Sequence, residues 1–129
     1  MATHYRYIRY GFGTVRPYIY GRLGLDDMVK EAFGALELER HQIAAHSFHI
    51  EVQIGDSVVV LETGEPLPAE ATEGSIYLYV PDVDAVYQHA LKCGAKSVAA
   101  PEDRPYGERT AGVKDSSGNT WWISTYQGE

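Results

Sequence analysis

The feature that most constrains this chain is a repeat of its own pattern about sixty residues apart. Tyr18-Ile19-Tyr20 returns as Tyr77-Leu78-Tyr79 at +59, Phe33-Gly34-Ala35 as Cys93-Gly94-Ala95 at +60, and Gly55-Asp56 as Gly118-Asn119 at +63. The elements around these matches recur in the same order. Leu25, Met28, Val29, Ala32 and Phe33 fall at helical spacing, with Asp26 and Asp27 in the first turn, where the dipole favours acids, and Gly34 as the stop. Val15–Tyr20 alternates like a strand before that helix. Ala35–Arg40 and a hairpin of Ser47–Ile54 with Ser57–Leu61 follow it. In the second half Ser75–Val80 is the strand, Val83, Val86, Tyr87, Ala90 and Leu91 mark the helical face, and Gly94 stops it. Lys96–Ala99, a loop at Pro101–Tyr106, and a hairpin of Thr110–Lys114 with Thr120–Thr125 complete the repeat.

Each half therefore reads as βαβββ, too small to bury both faces of a sheet alone. The expected class is α+β, with two such modules forming curved mixed sheets, helices outside, and a concave inner face where a ligand would sit. The boundaries are an N-terminal arm over 1–14, module one over about 15–62, a linker over 63–74 and module two over about 75–126 of a single domain. The linker reading rests on ETGEPLPAEATEG, which has two prolines and no aromatic residue. The arm, with Tyr5-Arg6-Tyr7-Ile8-Arg9-Tyr10, reads equally as an edge strand, a segment packed on a partner subunit, or a loose end.

Composition narrows the function. Apolar residues make up 44% and charged residues 22%, ordinary values for a globular protein, and no apolar run approaches the ~18 residues of a membrane span. The N-terminus lacks the apolar core of a secretion signal, so a cytoplasmic location and no membrane partner are expected. Cys93 stands alone, without an intrachain disulfide partner, and reads as a small buried hydrophobe at a helix end. Acids outnumber Lys and Arg by 18 to 11, giving −7. Arg6, Arg9 and Arg16 are the only charges in residues 1–16, so the remainder carries −10. Phosphate binding needs a basic face, so the balance disfavours a nucleic-acid role and no nucleic-acid partner is expected. The acid excess serves solubility and also favours a cationic ligand.

The two modules, the Ala32-Phe33-Gly34-Ala35 helix end, His49–Ser57 and the YGER…DSSGNTWWIST stretch together resemble the vicinal oxygen chelate superfamily of glyoxalases, extradiol dioxygenases and fosfomycin and bleomycin resistance proteins. The likeness spans Val15 to Thr125, and is greatest to small glyoxalase/bleomycin-resistance-like proteins. One departure is Ser116, where the family usually has proline after the turn aspartate. The resemblance implies metal ligands on the first and last strands of each module. Laid on this chain those positions are Arg16, Leu61, Ser75 and Ser124, none a usual divalent-metal ligand, with Glu62 or Thr125 entering on a one-residue slip. No metal and no cofactor are therefore expected. The resemblance also implies modules paired between chains, hence a homodimer.

Strand alternation assigns what the inner face carries instead. Arg16, Tyr18 and Tyr20 point inward with Ser75, Tyr77 and Tyr79, while Ile19, Ile76, Leu78 and Val80 go to the helices. His49, Glu51 and Gln53 oppose Ile50, Val52 and Ile54, and Trp122 shares parity with Ser124. The ligand-binding candidates are Arg16, Tyr18, Tyr20, His49, Glu51, Tyr77, Tyr79 and Trp122. Tyrosines also commonly fill sheets and subunit contacts, so both readings stay open. His49 and Glu51 are the catalytic candidates, as an acid–base pair, against the plainer reading of a solvated pair. His46 has the wrong parity, His4 and His41 face solvent, and His89 lies on the polar side of the second helix. Arg109 serves a ligand or pins its loop to a carboxylate. Two functions follow: a metal-free protein that binds a small aromatic molecule, with a cation favoured, or a metal-dependent lyase, isomerase or dioxygenase. Whether the chain is an enzyme stays open at this point.

Overall fold

The computed structural model describes residues 6–128; His4 and the start of the arm lie outside them. The order is β1 (Tyr18–Gly21), α1 (Leu25–Phe33), β2 (Leu36–Ala44), β3 (Ser47–Ile54), β4 (Ser57–Gly64), β5 (Ser75–Tyr79), α2 (Val83–Lys92), β6 (Lys96–Arg104), β7 (Glu108–Lys114) and β8 (Thr120–Tyr126). Two four-stranded mixed sheets result, β1-β4-β3-β2 and β5-β8-β7-β6. In each, the first strand runs parallel to the last and the other pairs are antiparallel. This is the α+β pair of βαβββ modules.

Helix α1 ends where Gly34 adopts φ 70, a left-handed turn open to glycine at no steric cost, and its N–H bonds back to Lys30 O. Asp26, in the first turn of α1, reaches Arg40 Nη2 at 2.5 Å and Lys30 Nζ at 3.5 Å, which ties the helix to β2. Glu37 completes the set, its carboxyl lowered to about 2 by hydrogen bonds from Arg40 and Lys30. On α2, Asp82 caps the N-terminus through Ala85 N.

The helix-facing sides of both sheets share one core. Ile19, Ile50, Val52, Leu61, Ala111, Val113, Trp121 and Ile123 are buried there with Val29, Ala32, Val83, Tyr87 and Ala90 of the helices. Phe33 of α1 stacks on Trp121 of β8 with ring centroids 4.9 Å apart, so the core crosses the module boundary. A polar hub at the β7–β8 turn joins the halves a second time. Asp115 accepts from Ser117 N, Asn119 N and Trp121 Nε1. Asn119 in turn donates to Tyr20 O and accepts from Gly74 N.

Several boundaries differ from the pattern reading. Strand β1 starts at Tyr18, because Pro17 has no N–H to give the ladder and only its carbonyl is used, by Val60 N. Strand β4 runs to Gly64, which shortens the linker. Strand β6 runs through Pro101 to Arg104; it is an edge strand, where a missing N–H is tolerated, and its register breaks between Ala99 and Glu102.

The largest correction concerns Leu61. It pairs with Ile19 and lies fully buried in the core, while Glu62, paired with Tyr20 and His49, occupies the open face. Matching the turn glycines equates Leu61 with Ser124. The strand ladders instead equate Glu62 with Ser124, since these are the partners of Tyr20 and Tyr79. A one-residue slip exchanges the faces of a strand.

Candidate functional site

The faces turned away from the helices can be read as matched rows. In the first sheet one row is Tyr18, Val60, Glu51 and Glu39, and the next is Tyr20, Glu62, His49 and His41. Their counterparts in the second sheet are Tyr77, Trp122, Gly112 and Ala99, then Tyr79, Ser124, Thr110 and Glu102. The tyrosines recur; their neighbours do not.

On the first face two of the carboxylates are tied by arginines of the arm. Glu51 receives Arg16 Nη1 on one oxygen at 2.8 Å and faces His49 Nε2 on the other at 2.9 Å, with both Glu51 and Arg16 largely buried. The remaining Arg16 donors go to the carbonyls of Gly13, Arg9 and Phe12, so this guanidinium is spent on holding the arm. Arg9 adds an ion pair to Glu39 at 2.6 Å. The arm itself, through a 3-10 turn at Arg9–Gly11, is thus folded onto its own sheet. Tyr18 donates its hydroxyl to Glu62, and burial followed by that bond raises its pKa above the usual phenol range.

The second face closes on one carboxylate by a different route. Tyr77 and Tyr79 each donate a hydroxyl to one oxygen of Glu108, the first residue of β7. The Tyr79 phenol is pushed up to about 12, mainly by its bond to Glu108, and the Tyr77 phenol is raised by burial and then by the same partner. Glu108 is held below the usual carboxylate range by the two phenols, Tyr77 first. A cavity of about 280 Å³ opens beside this group, lined by Tyr77, Arg104, Tyr106, Thr110 and Trp122. Trp122 lies flat over Gly112, where a Cβ would meet its Cζ3 at 2.6 Å. Only glycine there lets the indole sit on the sheet.

The structure therefore groups the sequence candidates in two sets. Arg16, Tyr18, Tyr20, His49 and Glu51 belong to the first sheet with Glu62; Tyr77, Tyr79 and Trp122 belong to the second with Glu108. Glu108 and Gly112 escaped the sequence reading although both share the parity of Thr110, because the loop before β7 hid the register. Tyr106, Arg104 and Thr110 were likewise unassigned. Arg109 pins its loop, pairing with Asp84 at 2.9 Å and Asp103 at 3.2 Å. His41 and His46 are exposed. His89 bonds Glu31 O across the two helices, and Cys93, half-buried, lies 3.9 Å from it.

A divalent metal at the strand positions that the fold makes available would need several carboxylate or imidazole donors. Glu62 supplies one, and its counterpart is Ser124, buried and bonded to Thr110 Oγ1 at 3.0 Å. Among the described residues no group of three or more His, Cys, Asp or Glu side chains is placed to hold a metal. The donor set does not fit such a centre.

Comparison with known proteins agrees with the fold. The uncharacterized protein Mb0911c of Mycobacterium bovis is 34% identical over 106 residues, covering 74% of this chain and 70% of its own length. The uncharacterized protein Rv0887c of Mycobacterium tuberculosis shows the same identity and share of this chain, which spans 62% of that relative. A family enzyme from Burkholderia phytofirmans PsJN superposes with a TM-score of 0.71 at 17% identity, over 89% of this chain and 99% of that one, a likeness of fold. The description that matches residues 30–123 is that of the Glyoxalase/Bleomycin resistance protein/Dioxygenase superfamily, and this chain belongs to it.

Proposed function

We propose that this protein binds a small planar aromatic ligand on the Tyr/Trp face of its second sheet, without a metal ion, and that the binding unit is a homodimer in the cytoplasm with no nucleic-acid partner. The observation that carries the reading is the 280 Å³ cavity walled by Tyr77, Tyr106 and Trp122. Its volume falls just short of the usual range of small-ligand pockets, roughly 300 to 1,000 Å³, which points to a small ligand. Each aromatic contact would add about 0.5 to 1.5 kcal/mol beyond area burial. The acid excess of the chain, −7 overall, favours a ligand that carries positive charge.

Exposed side chains support the dimer. Tyr18 and Tyr126, outside the cavity lining, are 46% and 56% exposed on the two open faces, and a second copy laid against them would cover this apolar surface and leave the cavity open. A sedimentation measurement that returns a monomer rejects that part of the proposal. For the ligand, the test is a titration of tryptophan fluorescence with a panel of planar aromatic compounds. Saturable binding that is lost in Trp122→Ala is expected; a flat response across the panel overturns the reading.

One observation favours a second reading, in which the protein is an enzyme. His49 faces Glu51 at 2.9 Å on a sheet face and is part-exposed, as a proton-transfer pair would require. Turnover of a bound compound that disappears in His49→Ala while binding persists would establish it.

A further inference from the structure

The hydrogen-bonding polarity of the second face identifies the class of ligand more narrowly than its aromatic walls do. A phenol has one proton to give and lone pairs to receive with. Tyr77 and Tyr79 both spend that proton on Glu108, so what they turn toward an incoming molecule is acceptor oxygen. The Tyr77 oxygen has the Ser124 and Thr110 hydroxyls beside it, which use part of its capacity. Tyr79, next to Tyr77 on the same face and 60% exposed, has an oxygen whose acceptor capacity is left over once its proton is given to Glu108. The one guanidinium at the cavity, Arg104, already donates to Glu102 at 2.8 Å. Behind the lining, two carboxylates bonded to lining side chains, Glu108 to Tyr77 and Glu102 to Arg104, thus stand against one arginine.

Resting on the aromatic-ligand reading above, we propose that this site selects an aromatic molecule whose positive charge is carried on N–H groups, a primary ammonium, amidinium or guanidinium. The ring stacks on Trp122, Tyr77 and Tyr106 while the N–H groups bond the outward oxygens of Tyr79 and Tyr77. A cage that used only the ring faces would hold a quaternary ammonium at least as well, since cation–π attraction needs no N–H. An acceptor-lined site discriminates against it, because methyl groups leave the desolvated phenol oxygens without partners.

The test is calorimetric titration of the full chain with four naphthalene probes: 2-naphthylmethylammonium, its N,N,N-trimethyl analogue, 2-naphthylmethanol and 2-naphthoate. The primary ammonium is expected to bind about tenfold or more tighter than each of the other three. Glu108→Gln supplies an amide donor to one phenol and frees that phenol's proton, so the preference should fall to about twofold or less while the methanol still binds. Tyr79→Phe, which keeps an exposed ring in place and leaves Glu108 its bond from Tyr77, should lower the preference by itself, and so keeps the test available where the Gln variant fails to fold. A trimethyl analogue that binds as tightly as the primary ammonium overturns the inference in favour of a ring-face cage. Equal or tighter binding of the naphthoate overturns it in favour of Arg104. Binding of the methanol with the same affinity as the ammonium leaves the aromatic-ligand reading standing and defeats only this refinement. No binding by any probe defeats both.

Discussion

The two sheets descend from one pattern and solve the same problem in opposite ways. Each presents paired tyrosines and a carboxylate on the face away from its helix. In the first sheet Glu51 is ion-paired by Arg16 and faces the His49 ring, and the arm that carries Arg16 and Arg9 folds over the face. In the second sheet the equivalent row holds Trp122 and Gly112, the carboxylate is Glu108, and its partners are two neutral phenols. The arm covers part of the first face and, with the β3–β4 turn, borders a cavity that reaches Tyr77 and Tyr79; the second face keeps a cavity walled by its own side chains. Repetition of a fold therefore does not repeat a site, because a few side chains at matched positions decide whether a face is filled or left for a ligand.

The largest difference lies in the turns. Asp115 accepts from Ser117 N, from the backbone and the side-chain amide of Asn119, and from the buried Trp121 indole, whereas Asp56 in the matching turn of the first sheet is exposed. Asp115→Ala would leave buried donors without partners at about 1–3 kcal/mol each, and should cost roughly 3–4 kcal/mol in urea denaturation. Asp56→Ala should stay within about 0.5 kcal/mol. Similar losses for both would show that the hub does not join the modules.

Arg16→Ala comes next. It strips a largely buried carboxylate of its guanidinium partner, and should cost roughly 2–4 kcal/mol in the same measurement. Ligand affinity at Trp122 should not change. A parallel loss of affinity would mean that the two faces act as one site.

How much of this could be read from sequence depends on the kind of signal. The repeat, the helices and the core parity of Ile50, Val52, Trp121 and Ile123 were legible because period 2 and period 3.6 are written into the residues themselves. The faces of Tyr18, Tyr77, His49, Glu51 and Trp122 followed from the same alternation. Glu62 and Glu108 were not legible, since both depend on register across a loop. Leu61 and Glu62 differ by one residue, and only the β1–β4 ladder decides which faces the core. The role of Arg16 was also hidden, since its carbonyl partners at Arg9, Phe12 and Gly13 are a product of the arm's path.

A smaller effect tests the floor of the open face. Gly112 is the counterpart of Glu51, and a Cβ at Gly112 would lie 2.6 Å from Trp122 Cζ3 and 2.8 Å from Cε3. Gly112→Ala should lift the indole from the sheet at a cost of about 1–3 kcal/mol, shift its fluorescence, and weaken aromatic ligands as Trp122→Ala does. An unchanged emission spectrum would mean that the ring is not seated there.

The finest comparison is between the phenols, which differ in what raises them. For Tyr18 burial is the largest cause and Glu62 the second; for Tyr79 the hydrogen bond to Glu108 is the largest. Glu108→Ala should therefore remove most of the rise in Tyr79, from about 12 toward the usual phenol value, read from its ring carbon shifts, whereas Glu62→Ala should lower Tyr18 by a smaller share of its rise. Stability should follow with a defined sign. A phenol raised in the folded state contributes stability that is fully present below its unfolded value of about 10 and fades as pH climbs through the folded one. Glu108, lowered in the folded state, contributes above the unfolded carboxyl value of about 4.3 and loses that contribution as pH falls. Wild type should thus weaken relative to Glu108→Ala on both limbs, between pH 10 and about 12 and below about 4.3. Parallel pH profiles for the two proteins would remove Glu108 as the group that holds the phenol protons, and with it the acceptor character of the second face.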